Sequence, residues 1–318
     1  MIVVMCCTRN WYLYLATELY ALLKHNEVKK IYLFIEDDEI FFIKDKRIEF
    51  ININKTQKYI NENSPNYNTK YSQMSYVRCF FSKLLNEKKV LYIDADAIVI
   101  DDIKDLWDID LNDYALAGIK ESGEWSKHLG IEGMNDKYIN SGVLLMNLDL
   151  IRKEKLDDTM IELLNNKYYC YPDQDVINVV CKDKIKYVSN IYNSTETTGV
   201  VKNAKIIHYI REYKGWIKGS PRSDVWFRYY EELLERIDET MVKVQCISDY
   251  FDTKLGKDVS PQDDAFIVTS ERAEQLVNAN VCRIVEVIPE EPKEEKVEAP
   301  VEETPVEEVK PKKRTRKK

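Results

Sequence analysis

Residues 88–107 read KKVLYIDADAIVIDDIKDLW, and this stretch sets the class of fold. Lys89–Ile93 is a short apolar run rich in strand-favouring side chains. It stops abruptly at Asp94-Ala95-Asp96. On extended backbone, side chains two apart point to the same side, so Asp94 and Asp96 converge across the small Ala95. Two carboxylates so placed suit a hard divalent cation, which can then bridge to a diphosphate. Alone, such a triplet reads more readily as a solvated acidic turn. Its position directly after a buried strand favours the ligand reading.

Working outward, Ile2–Cys7 reads as a strand and Trp11–Lys24 as a helix with Tyr12, Leu15, Leu19 and Leu22 on one face. Lys30–Ile35 and Ile48–Ile53 read as further strands, and Ser72–Leu85 as a helix. The alternation predicts an α/β fold with a mainly parallel sheet. Ligands of such sheets bind outside the carboxyl ends of the strands, which puts Cys7–Trp11 and Asp94–Asp96 on one rim.

Three downstream stretches carry further chemistry. In AKIIHYIREYKGW (204–216), Lys205–Tyr209 reads as a strand with His208 near its end and Lys214 six residues on. An imidazole at a strand terminus can ligate a metal, and a lysine suits a phosphate. A semi-buried structural histidine and a surface lysine are the plainer readings. In DKYINSGVLLMNLDLI (136–151), Asn140-Ser141-Gly142 precedes an apolar run, and the glycine allows close approach of backbone to a ligand. In YYCYPDQDVINVV (168–180), Asp173-Gln174-Asp175 opens a helix, where one aspartate also serves as a cap.

Composition excludes several classes. Hydrophobic residues make up 44% of the 318, ample for a core. No apolar run approaches the ~18 residues of a membrane span. The Ile2–Cys7 run is too short for a secretory leader, so the expected location is the cytoplasm of a bacterium or of a phage-infected host cell. A net charge of −8 argues against a nucleic-acid partner for the body of the chain. Seven cysteines without a CxxC pair fit a reducing compartment rather than a zinc ribbon or disulfide framework.

Residues 241–288 form a separate small segment. Val242, Val244 and Cys246 alternate as a strand, 255–257 reads as a turn, and Phe266–Val268 as a second strand. Ser270 caps a short helix to Leu276, and Val281–Val287 closes as a last strand. The pattern resembles small β modules appended to bacteriophage proteins, which implies docking onto a protein partner. Residues 289–318 hold five of the nine prolines and no aromatic residue, and seven of the last nine residues are Lys or Arg. Such a tail is expected to be disordered, either as a solubilising appendage or as a basic arm for an acidic partner.

The ordered set of TRNW (8–11), YVRCFF (76–81), LYIDADAIV (91–99), LWD (106–108), YINSGVLLMNL (138–148), DQDVIN (173–178) and HY with Lys214 six residues after the histidine resembles glycosyltransferase family 8. The resemblance covers about residues 1–235. It implies a GT-A fold, a Rossmann-like nucleotide-binding sheet, over 1–238. It also implies transfer of a hexose from UDP-glucose or UDP-galactose with retention of configuration. Residue by residue, it implies that Thr8, Asn10 and Trp11 hold the uridine and that Arg78 contacts donor sugar or phosphate. Asp94, Asp96 and His208 would ligate the metal, with Ala95 near the ribose and Lys214 on the diphosphate. Asn140, Ser141, Asp173 and Gln174 would surround the sugar, the last two flanking the anomeric carbon. Two oxygens and a nitrogen suit Mn2+ better than Mg2+. The acceptor, whether glycan, lipid-linked or protein, is not legible.

The chain departs from the family's HxxGxxKPW pattern: Arg211 stands at the glycine and Gly215 at the proline. Arg211 must either reposition that loop or add a charge to it. Two other classes compete: a non-catalytic UDP-sugar or glycan-binding adaptor docked through 241–288, and a nucleotidyltransferase. The latter usually has a glycine-rich phosphate loop, which CCTRNW lacks.

Overall fold

The structure is a computed structural model, and it describes residues 1–40, 43–234, 241–252, 257–263 and 265–288. The expected disordered tail and most of the 255–257 turn lie outside these residues. In chain order the elements are β1 (Ile2–Cys6), α1 (Tyr12–His25), β2 (Lys30–Ile35), β3 (Ile48–Asn52), α2 (Phe81–Leu84), β4 (Lys89–Ile93), β5 (Ala97–Val99), α3 (Lys104–Trp107) and β6 (Leu116–Lys120). Then follow β7 (Ile139–Asn147), α4 (Leu148–Glu154), α5 (Leu156–Asn166), α6 (Pro172–Cys181), β8 (Ile185–Tyr187), β9 (Ile206–His208) and α7 (Ser223–Leu234). The last elements are β10 (Met241–Cys246), β11 (Tyr250–Asp252), β12 (Lys257–Val259), β13 (Phe266–Thr269), α8 (Ser270–Asn278) and β14 (Cys282–Ile288).

Seven strands form one sheet in the order β3-β2-β1-β4-β7-β6-β8. β1 runs parallel to β2 and β4, β2 to β3, and β6 to β8. β7 is antiparallel to both its neighbours. Both faces are covered. Along β4, Val90 and Tyr92 enter one core with Val77, Phe81, Leu164 and Val176. Leu91 and Ile93 enter the other with Leu15, Leu19 and Leu22 of α1. A strand buried on both faces reads as a continuous apolar run, which is why β1 and β4 were legible.

One stretch is helical as expected, but in two forms. Residues 72–85 are not one α-helix: Gln73–Phe80 is a 3-10 helix, capped by Ser72 Oγ accepting from Met74 N, and only Phe81–Leu84 is α. Tyr76 through Phe81 are buried consecutively. Tertiary contact on all sides, rather than one amphipathic face, shapes that segment.

β5 pairs antiparallel with β9 so that Ala97 faces His208. β7 lies against β4 with Ile93 opposite Val143, and Asp94 N donates to Gly142 O at 2.8 Å. These pairings carry residues from three distant stretches to the carboxyl end of β4. Farther along, β10 is flanked by β13 and β14, with α8 packed on them and β11 and β12 forming an unforeseen hairpin. Among the described residues, no helix is long and apolar enough to cross a membrane.

α1 and α7 meet through Glu18, 1% exposed, whose Oε1 accepts from Trp226 Nε1 at 2.8 Å. Its Oε2 has no partner. Burial pushes this carboxyl well above its ordinary value of 4.5, and the Trp226 hydrogen bond offsets only part of that. The folded state therefore holds the proton more tightly than the unfolded chain. Stability is full below the unfolded pKa and is lost as pH rises toward the folded one. Urea midpoints across pH should show the wild type losing ground to Glu18→Gln as pH rises from about 4.5. The slope is at most about 1.4 kcal/mol per pH unit. A pH-independent gap between the two proteins would refute this account.

Candidate active site

At the carboxyl end of β1 and β4 lies a cavity of about 840 Å³ whose lining includes Thr8, Trp11, Arg78, Asp94, Ala95, Asp96, Asn140, Ser141, Asp173, Gln174, His208 and Lys214. Of the residues that the resemblance assigns to the site, only Asn10 is elsewhere; it lines a smaller pocket beside Trp216. The Thr8–Trp11 turn is pinned from behind. Arg9 makes a two-point pair with Asp37 at 2.6 and 2.8 Å, and its backbone N donates to Glu36 Oε2 at 2.7 Å. Trp11 meets Trp216 edge-on at 4.9 Å, and Lys214 Nζ lies 5.1 Å from the Trp11 ring centre.

Asp94, Asp96 and His208 each offer a ligand atom within 4.8 Å of the others. His208 Nε2 is 3.2 Å from Asp96 Oδ1 and 3.6 Å from Asp94 Oδ2. The opposite ring nitrogen, Nδ1, is hydrogen-bonded to Asn193 Oδ1 at 2.9 Å, which fixes the imidazole and turns Nε2 toward the carboxylates. Two carboxylate oxygens and an oriented imidazole form a donor set that fits a divalent cation of borderline hardness. Burial opposes ionisation of Asp96, but the charge of Lys214 and of His208 outweighs it and holds this carboxyl below the usual range. Lys214 Nζ bonds Asp96 Oδ2 and also donates to Tyr209 O at 3.0 Å.

Arg78 organises the other side. Its guanidinium, 6% exposed, reaches Asp94 Oδ1 at 2.8 Å, Asp173 Oδ2 at 3.3 Å and Ser141 O at 2.8 Å. It also lies over the Tyr92 ring at 4.4 Å, and the Tyr92 hydroxyl donates to Asp94. Arg78 thus bears on the cavity through two carboxylates. Asp173 is raised by burial, with Arg78 pulling it back down and Asp94 adding to the rise. Ser141 Oγ donates to Asp173 at 3.1 Å, and Ser141 N donates to Gln174 Oε1 at 3.0 Å. Asp175, by contrast, is structural: it accepts from Tyr171 N at 3.0 Å at the start of α6 and from the Tyr138 hydroxyl.

Gly142 has a role that sequence reasoning assigned to ligand approach. A Cβ there would overlap the His208 ring and come within 2.7 Å of Asp94 Oδ2. The glycine makes room for the ligand set itself. Sequence reasoning also missed Asn193 and Glu121. The polar run Asn193–Thr198 between apolar neighbours was the available signal for the first. Glu121 is 8% exposed; its Oε1 accepts from Asn140 Nδ2 at 2.8 Å while Oε2 has no partner.

At the departure from the family pattern, Arg211 keeps φ at +57°, the left-handed region that glycine adopts freely. Its guanidinium stacks on Trp125 at 4.5 Å. Gly215 packs where a Cβ would come within 2.7 Å of the Trp226 ring.

Gly142→Ala should leave the sheet folded yet weaken binding of a divalent cation, probed with Mn2+, by roughly tenfold or more, the scale on which displaced ligand geometry acts. Calorimetric Mn2+ titration alongside a thermal melt checks this, and unchanged affinity in a folded variant would contradict it.

Comparison with known proteins follows the same lines. A protein of Haemophilus influenzae described as a glycosyltransferase is 29% identical over 243 residues, covering 64% of this chain and 69% of its own. The lipopolysaccharide 1,2-glucosyltransferase of Escherichia coli is 29% identical over 188 residues, covering 52% of this chain and 55% of its own. In structure the chain is similar to the galactosyltransferase LgtC, solved with donor and acceptor sugar analogs. The TM-score is 0.55 at 21% identity, over 75% of this chain and 96% of that one, which gives the body of this chain the GT-A fold. The family model for glycosyl transferase family 8 matches residues 2–219, and with the site assembled at the end of β4 the chain belongs to that family.

Proposed function

We propose that the chain is a metal-dependent, retaining glycosyltransferase that moves glucose or galactose from a UDP-sugar to an acceptor hydroxyl. The convergence of Asp94, Asp96 and His208 beside Lys214 in one cavity carries this reading. Residues 1–238 would form the transferring unit. Residues 241–288, a small sheet of β10, β13 and β14 with α8 packed on it, would form an attachment for a protein partner.

Asp94, Asp96 and His208 would hold the cation, with Mn2+ favoured over Mg2+ because one donor is nitrogen. Bound there, it supplies Lewis-acid neutralisation of diphosphate charge. Lys214 adds a cation where negative charge grows as the bond from the anomeric carbon to the diphosphate oxygen breaks. The electron pair leaves with UDP. Trp11 offers its ring to the uracil, with Thr8 beside it. Asn140 and Ser141 would border the sugar, while Arg78 keeps Asp94 and Asp173 in register. Asp173 and Gln174 bring carboxylate and amide oxygens to the anomeric centre as it becomes positive. Retention follows if one of them attacks covalently, and equally if the acceptor enters on the face the diphosphate leaves. A lone binding adaptor has no need of this leaving-group apparatus.

UDP release from UDP-glucose and UDP-galactose, measured with Mn2+, should be detectable for one of the two. It should fall by about two orders of magnitude or more in Asp94→Asn, the scale of a lost charge-stabilising element. A folded Asp94→Asn protein with wild-type release would sink this reading.

A further inference from the structure

One wall of the cavity is not used by the roles above. Tyr71, Tyr171 and Trp125 line it as an aromatic arc, with ring centres 6.4 Å apart for the two tyrosines and 6.1 Å for Trp125 and Tyr171. All three are half-buried, so each presents some ring surface to the cavity. Each end of the arc carries a cation: Lys70 Nζ lies 5.1 Å from the Tyr71 ring centre and Arg211 Cζ 4.5 Å from that of Trp125.

These cations differ from the others in the cavity. Arg78 is committed to Asp94 and Asp173, and Lys214 to Asp96. Lys70 and Arg211, both exposed, make no ion pair with any described residue, Glu212 on the same rim included. Arg211 also occupies a left-handed backbone position, which disfavours any side chain other than glycine. Strain retained at a cavity rim, with the charge it carries left unpaired, points to a ligand. Aromatic rings supply the flat apolar surface on which a sugar ring packs, and a few convergent polar groups then fix its orientation. Glu121 Oε2, buried in the same lining without a partner, can accept from a sugar hydroxyl.

We propose that the Tyr71–Tyr171–Trp125 arc, with Lys70 and Arg211 at its ends, seats a saccharide acceptor that carries an anionic group, a phosphate or a carboxylate. This rests on the transferase reading for the word acceptor, but its binding chemistry can be tested without turnover.

The test is calorimetric titration of the full chain, loaded with Mn2+ and UDP so that the diphosphate position is filled. The titrants are methyl glucoside, glucose 6-phosphate, glucuronate and inorganic phosphate. At least one charged sugar should bind roughly tenfold more tightly than methyl glucoside, the scale of one charge-assisted hydrogen bond. The two charged sugars tell phosphate from carboxylate. Arg211→Gly, which relieves the backbone, and Lys70→Gln should each erode the preference for the charged sugar over the neutral one. A change in loop shape alone would weaken both sugars together and leave that ratio intact. The proposal is overturned if methyl glucoside binds as well as the charged sugars or if no charged sugar binds saturably. It is equally overturned if inorganic phosphate alone matches them, or if both variants keep the wild-type ratio. Failure of UDP release from both donors, with the charged-sugar preference intact, would remove the transferase reading and leave an anionic-saccharide site standing.

Discussion

Three carboxylates, those of Asp94, Asp96 and Asp173, share one largely buried wall, and the site is arranged around holding them together. Two like charges 4 Å apart repel by about 4 kcal/mol at an effective dielectric near 20. Arg78 sits between Asp94 and Asp173, Lys214 on Asp96, and His208 within reach of both Asp94 and Asp96. Their surroundings divide the acids. Asp96 resists the penalty of burial because its contacts with Lys214 and His208 outweigh it. Asp173 is dominated by burial, shares its one arginine with Asp94, and so ionises less readily. The firmly anionic group lies in the Asp94–Asp96–His208 cluster, which would hold a cation, and the less committed one stands where a sugar would lie.

Charge balance alone does not bring these groups together; backbone pairing does. β5 and β9 are short, yet their register sets His208 opposite Ala97, one residue beyond Asp96. The antiparallel entry of β7 beside β4 brings the Asn140–Gly142 backbone against Asp94. That approach is open only because residue 142 lacks a Cβ. A shift of register by one residue would send each side chain to the opposite face and dissolve the cluster.

This explains what could be read in advance. The Asp94 and Asp96 pair was legible because the signal is local: an apolar strand, then carboxylates two apart. His208 and Lys214 were legible as an ordered motif, though their meeting with Asp96 depends on a strand pairing over 100 residues distant in sequence. Asn193 was only partly legible: the polar run Asn193–Thr198 marks a turn but not which side chain orients a histidine, and its place follows from the hydrogen bonds of that turn. The 3-10 geometry of Gln73–Phe80 was missed for a related reason, because burial on every side erases the one-faced periodicity that separates helix types.

The segment from His208 to Trp216 departs from the family pattern at 211 and 215, and its shape is set from behind. Arg211 holds a left-handed conformation that glycine adopts freely, at a local cost of about 1–2 kcal/mol. Such strain persists only where the surroundings over-determine the chain. Here they do: Gly215 lies flat against Trp226, Trp226 is anchored by Glu18, and the Tyr209 hydroxyl donates to Arg222 O at 2.7 Å. The loop is therefore shaped by α1 and α7 behind it rather than by its own glycine and proline. Fixed in that way, it holds a guanidinium at 211 in a left-handed backbone position on the loop that also carries Lys214. Arg211 thus faces the arc of aromatic rings while Lys214, on the same loop, faces Asp96.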